Sequence, residues 1–175
     1  MVSKYKKCFL ANQPIHVLKH VEKIWQDKIN LDRGLMAEEI RRSLKGDKFF
    51  GGIIYCSDLD KIIVKTYPIS FVVYYRSHWF AIYISQTHIE VFDSIALIWS
   101  DPPDEFIKFL CRNSNKRIKF NTQLQGSDSN ICGLYVIFFV KMKSRLWPWK
   151  EILKYSNKNH LRNDNIISNV LSCKF

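Results

Sequence analysis

Three short segments of this sequence carry residue types that do chemistry: Ser77-His78-Trp79, Val91-Phe92-Asp93-Ser94, and the run Gln125-Gly126-Ser127-Asp128-Ser129-Asn130-Ile131-Cys132-Gly133. A thiol, an imidazole, a carboxylate and a side-chain amide are the parts of a nucleophilic acyl-transfer site. The imidazole takes the thiol proton and returns it to the leaving group, while the carboxylate fixes the tautomer and supports the imidazolium. Cys132 is the candidate nucleophile, His78 the candidate base and Asp93 the orienting acid. Taken singly, each has a duller reading: a buried cysteine is a small core hydrophobe, a histidine before an aromatic packs, and an aspartate after a strand turns the chain. Their joint placement points to a site, because each falls where a strand edge or a helix start would present it.

Periodicity gives the elements that must position them. Ile131–Met142 (ICGLYVIFFVKM) is apolar on nearly every side, so as a helix it has no solvent face and must be buried and central. The preceding GSDSN supplies its expected cap. A cysteine in the first turn of such a helix sits at the positive end of the helix dipole, which favours the attacking thiolate. The backbone N–H of Cys132, together with the side-chain amide of Gln125 on the loop leading in, can hold the oxyanion formed when a carbonyl is attacked. His78 and Asp93 lie at the edges of two predicted strands, Trp79–Ser85 and Ile89–Phe92, joined around Gln86 and Thr87, so a hairpin brings them to neighbouring positions.

Other strands are expected at Gly52–Tyr55, Ile69–Tyr75 and Arg117–Gln123. Helices are expected over residues 15–30 and 35–45, after Asp101-Pro102-Pro103-Asp104, over Trp149–Tyr155, and over Asn163–Leu171 with Asn163 or Asp164 as cap. The expected fold is α+β, a mixed β-sheet packed against a buried central helix with the nucleophilic cysteine at its N-terminus. Residues 1–175 read as one domain, with 1–33 as a helical N-terminal extension and 34–175 as the core.

Composition sets the surroundings. The five cysteines, Cys8, Cys56, Cys111, Cys132 and Cys173, are an odd number without a CxxC pair, which fits reduced thiols better than a disulfide framework or a zinc site. His16 and His20 stand one helical turn apart but lack a third ligand, so no metal site is expected. No apolar run is long enough to span a bilayer and no secretory leader is evident, so the expectation is a soluble, unsecreted chain with no membrane partner. Lys and Arg against Asp and Glu number 11 to 6 over residues 1–50, 8 to 8 over 51–140 and 8 to 2 over 141–175, within a net charge of +11. Basic N- and C-terminal regions around a neutral centre could lie along a nucleic acid, or could serve solubility alone.

The pattern of HW, an acid ending the next strand, then QGxxxxxCG before an apolar helix resembles the adenovirus processing protease family (adenain). The order His, acid, Cys agrees, and Gln125 precedes Cys132 by 132 − 125 = 7 positions, the spacing of the adenovirus-type enzymes rather than the six typical of the related ubiquitin-like-protein deconjugases. Trp79 and Gly133 match the family as supporting residues; Asp93 stands where adenovirus enzymes often carry Glu and relatives carry Asp. The resemblance extends from about Ala37 to Leu171 and implies a viral or virus-like-element cysteine endopeptidase. Such an enzyme processes structural precursors after small, Gly-containing sites, in the virion and in the host nucleus or cytoplasm. It also implies DNA and a short viral peptide as possible activators, with Cys111 a possible thiol for linking the peptide; the chemistry itself needs no cofactor. Two alternatives stay open: a deconjugase of ubiquitin-like modifiers using the same triad, and a non-catalytic basic nucleic-acid-binding virion protein.

Overall fold

The structure, a computed structural model, describes residues 34–154, 156 and 158–172. The helix expected over 15–30, His16, His20, Cys8 and Cys173 lie outside the described residues. In chain order the elements are α1 (Ala37–Leu44), β1 (Phe50–Tyr55), a 3-10 helix (Cys56–Lys61), β2 (Ile69–Tyr75), β3 (His78–Ile84), β4 (His88–Phe92), α2 (Leu97–Ser100), α3 (Asp104–Arg112), β5 (Arg117–Phe120), α4 (Cys132–Ser144), α5 (Trp149–Leu153) and α6 (His160–Ser172).

The strands form one five-stranded sheet in the order β1-β2-β3-β4-β5. β2, β3 and β4 are antiparallel neighbours, and each edge strand adds in parallel, β1 on β2 and β5 on β4. The sheet is therefore mixed. β3, HWFAIYI, is buried at every position, as a central strand covered on both faces must be. Alternation then sends Trp79, Ala81 and Tyr83 to one core and Phe80, Ile82 and Ile84 to the other.

The first face carries α4. Every residue from Cys132 to Lys143 is buried, so the helix without a polar side is the central one, as its sequence requires. Leu35, Ile40 and Leu44 from the α1 region and Ile167 and Leu171 from α6 share its core. Phe92 of β4 stacks on Phe139 of α4 with centroids 4.6 Å apart, and Trp149 meets both rings edge-on. The opposite face is covered by the 3-10 helix and by α3 through Leu59, Phe106 and Phe109.

Three local expectations need correction. The strand starting at Arg117 ends at Phe120, because Asn121 turns its side chain onto the backbone of Asp93 instead of continuing the ladder. α6 begins at His160, and Asn159 is the residue whose side chain accepts a first-turn N–H, from Arg162 at 3.0 Å. Asn163 and Asp164 point inward and bond elsewhere. Finally, two of the eight cations counted over residues 141–175 face inward. Lys141 Nζ lies 2.9 Å from Asp47 Oδ2, and Lys143 Nζ lies 2.8 Å from Glu90 Oε2, an ion pair by distance although not aligned as a hydrogen bond. Burial lowers the pKa of both lysines, and the paired carboxylates oppose that.

Phe139 is fully buried among Phe92 and Trp149, so its truncation removes apolar area and leaves a cavity. Phe139→Ala is expected to lower unfolding free energy by about 3–5 kcal/mol in urea titration. A loss under about 1 kcal/mol would show that α4 is not packed as described.

Candidate active site

Cys132 is the first residue of α4 and lies at the floor of a cleft of about 660 Å³, whose walls include Leu35, Tyr55, Tyr74 and Trp79. The N-cap is Ile131, with φ −99° and ψ 20°, and no side chain caps the turn. The GSDSN segment therefore does not do what its composition suggests. An apolar N-cap has no side-chain oxygen to offer the first-turn N–H groups, so the N-cap residue takes none of them with its side chain.

Gly133 is required by close approach. A Cβ there would stand 2.7 Å from the Cβ of Leu35. The segment Gly34-Leu35 thus crosses directly over the first turn of α4, and Trp79 Nε1 donates to Leu35 O at 2.8 Å. Trp79 in turn packs on Tyr74, ring centroids 4.6 Å apart. The two residues expected to support the site, Trp79 and Gly133, act on the same strap.

His78 opens β3 and pairs with Tyr75 across the two-residue turn Arg76-Ser77. Both turn residues have positive φ, 47° and 62°, the geometry that matches the twist of a tight hairpin and that Asn-Gly adopts more cheaply. Arg76 also pairs with Asp101, tying the turn to the segment after α2. The His78 ring is buried, with Nε2 2.6 Å from Asp93 Oδ1. An ionised carboxylate only accepts, so Nε2 carries the proton and Nδ1 is the nitrogen left for the thiol.

Asp93 follows β4 and is held from several sides. Its Oδ1 also accepts from Ile95 N at 3.1 Å, and its Oδ2 from Ile98 N at 2.7 Å. Its backbone is clasped by Asn121, which accepts from Asp93 N at 2.9 Å and donates to Asp93 O at 2.7 Å. Gln125 is fixed as well: its Oε1 accepts from Ser94 Oγ at 2.7 Å, and its Nε2 donates to Ser129 O. An amide nitrogen has two hydrogens, so the second can serve an oxyanion in the cleft that Gln125 lines.

Two opposing effects set the state of His78. Burial lowers its pKa, but hydrogen bonds to Asp93 and to Cys132, and the attraction of both groups, outweigh it and raise the value to about 9. At neutral pH the imidazole is therefore protonated beside the sulfur. Cys56 differs: burial first, then the charge of Glu105, pushes its thiol up to about 11. Cys111 is exposed on α3, whose core residues pack on the sheet face opposite α4.

The structure thus brings His78, Asp93, Gln125 and Cys132 together with Trp79 and Gly133, and leaves Cys111 apart. Sequence reasoning missed Leu35, Ser94 and Asn121. Nothing local marks them, since each acts through a backbone atom or a partner 28 or more residues away. Among the described residues no group of acids, histidines and cysteines could hold a metal ion, and no helix is long and apolar enough to cross a membrane.

No family model matches the chain, and no curated protein matches it. Similar solved structures include the SUMO protease Ulp1 with its catalytic cysteine oxidized to a sulfinic acid, at 15% identity over 94% of this chain and 82% of that one, TM-score 0.35. Ulp1 with the cysteine as a sulfenic acid gives 15% over 91% and 77%, TM-score 0.36, and as a sulfonic acid 15% over 94% and 80%, TM-score 0.37. At such scores the likeness carries no functional argument, and the case rests on this chain's own residues.

Because the folded pKa of His78 is raised above its ordinary 6.5, its stabilising contribution is complete below about 6.5 and is lost as pH rises through about 9. Titration of the His78 ring by NMR is expected to give about 9 in wild type and a lower value in Cys132→Ala, which removes two of the raising influences. A ring that titrates at its ordinary value in both proteins would sink the pairing.

Proposed function

We propose that this chain is a cysteine endopeptidase of the adenovirus-protease type, with Cys132 as nucleophile, His78 as acid–base, Asp93 as orienting acid and Gln125 as oxyanion donor. The observation that carries the reading is the buried His78 set between Asp93 and Cys132 at the N-terminus of α4. No packing requirement asks for a charged imidazole, a carboxylate and a thiol in one buried cluster beside a cleft.

In this mechanism the Cys132 sulfur, its proton already on His78 Nδ1, attacks the scissile carbonyl carbon. The resulting oxyanion is held by the Cys132 backbone N–H and by Gln125 Nε2. His78 then gives its proton to the leaving amine, and a thioester remains on Cys132. A water that loses a proton to Nδ1 attacks the thioester, and release of the acid restores the thiolate and imidazolium.

The substrates are viral or virus-like-element precursor proteins cut after small, Gly-containing sites. Support comes from the seven-residue step between Gln125 and Cys132. DNA is proposed as an activator through the basic terminal regions, with the inward-facing Lys141 and Lys143 excluded from that role.

A fluorogenic peptide ending in Leu-Xaa-Gly-Gly tests the reading. Wild type is expected to cleave it, Cys132→Ala to lose activity entirely, and Asp93→Asn to lose roughly 10²- to 10⁴-fold in kcat. Activity should fall on the alkaline side as His78 loses its proton at about 9, and added DNA should raise the rate. Cleavage confined to conjugates of a ubiquitin-like modifier would move the assignment to a deconjugase. Salt-sensitive DNA binding with a Cys132 no more reactive than Cys111 would replace the enzyme with a binding protein.

A further inference from the structure

Resting on the reading of Gln125 as oxyanion donor, the remaining question is what holds that donor still. Gln125 sits between β5 and α4 on a stretch without regular structure, and an oxyanion donor misplaced by about 1 Å loses much of its effect. Two sets of hydrogen bonds grip residues 124–126. On one side Leu124 N and Gln125 N both donate to Ser94 O, at 2.7 and 2.9 Å. On the other side the contacts come from α6, the helix furthest along the chain. Asn163 Nδ2 donates to Leu124 O at 2.8 Å, and Gly126 N donates to Asp164 Oδ2 at 3.1 Å.

Asp164 also joins this loop to the nucleophile's helix. Tyr135 of α4, one turn beyond Cys132, has its hydroxyl 2.8 Å from Asp164 Oδ1 and 3.3 Å from Leu124 O. A hydroxyl has one hydrogen, and the shorter distance and the negative charge direct it to the carboxylate. Each oxygen of Asp164 thus accepts from a different element. Gly126 fits the same account, since a Cβ there would press on Asp164 Oδ2 at 3.1 Å. Among the described residues no cation pairs with Asp164, although its exposure is only 8%. A buried carboxylate satisfied by neutral donors is a costly way to fill space, and an apolar side chain would pack there at less cost. What the carboxylate adds is a fixed separation between loop, α4 and α6.

We propose that Asp164 is a positioning residue that, with Asn163 and Tyr135, makes the C-terminal helix a clamp on the oxyanion loop, and that its removal lowers turnover by displacing Gln125. Asn in its place keeps one oxygen for Gly126 N–H and offers its NH₂ to the Tyr135 oxygen, so it retains the anchor.

The test compares Asp164→Ala and Asp164→Asn with wild type, all as full chains. Asp164→Ala is expected to lose roughly 10- to 100-fold in kcat on the peptide with KM within about twofold, and Asp164→Asn to recover most of it. Alkylation of Cys132 by iodoacetamide should be unchanged in both, because displacement at a saturated carbon forms no oxyanion. Amide exchange at residues 124–126 should accelerate about tenfold or more in Asp164→Ala while β3 stays protected. Unchanged exchange at 124–126, or alkylation falling in parallel with turnover, would overturn the proposal. Should wild type cleave no peptide, the protease reading fails on its own, and amide exchange still decides whether Asp164 holds the loop.

Discussion

A helix with no polar face cannot sit on a surface, and the architecture follows from covering α4. Every residue from Cys132 to Lys143 is buried, so the sheet must lie along one side, with α1 and α6 along others. A fully buried Leu, Ile or Phe contributes about 1.5–3 kcal/mol, and α4 carries several of them in succession, which makes its burial a strong drive toward this arrangement. The cover has one place where it must stay open. At the first turn, residues 34–35 and 124–131 close around the helix end but leave the cleft in which Cys132 lies. The apolar sequence that makes α4 central therefore also fixes where a thiol at its start can meet an imidazole on the sheet.

The other end of α4 poses the opposite problem. Lys141 and Lys143 fall in its last turn and are buried, and each meets a carboxylate, Asp47 beyond α1 and Glu90 on β4. Positive charge suits a helix C-terminus, and removing one partner of a buried pair costs about 3–5 kcal/mol, against about 0–1 for an exposed pair such as Lys154–Glu151. The two pairs thus hold α4 to the α1–β1 connection and to the sheet at the end remote from the chemistry. This is why a count of basic residues along the sequence overstated the charge that the C-terminal region presents to a polyanion.

How much was legible follows from the range of each interaction. The strands, the central helix and the placement of His78, Asp93 and Cys132 at element ends are local properties, written in alternation, in apolar runs and in turn residues. The parallel addition of β1 and β5 is not local, since an edge strand's direction depends on how the chain returns after Tyr55 and after α3. The capping assignments failed for a related reason. Polar residues before a helix are good caps only if nothing else claims the position. Here Ile131 holds the N-cap of α4, while Asn163 and Asp164, which look like caps for α6, are claimed by Leu124 and Gly126, 39 and 38 residues earlier. Asn121 reads as a strand residue in sequence and becomes a clasp on Asp93 only once β5, laid beside β4, ends at Phe120.

That dependence on pairing makes strand register the last constraint on the site. The β3–β4 ladder pairs Ala81 with Phe92, which puts both side chains on the α4 face. A slip by one residue would turn Phe92 away from Phe139 and carry Asp93 off His78 in the same movement, so the ring stack that stabilises the core also enforces the hydrogen bond. The β2–β3 turn adds a second lock. With two residues at positive φ it tolerates neither lengthening nor a shift without losing the Tyr75–His78 pair. His78 is thus placed by a strained turn on one side and a packed ladder on the other, and neither can relax without cost to the core. The imidazole is held by the same contacts that hold the sheet together, which is how a chain of this size positions a buried charged ring without giving the site a scaffold of its own.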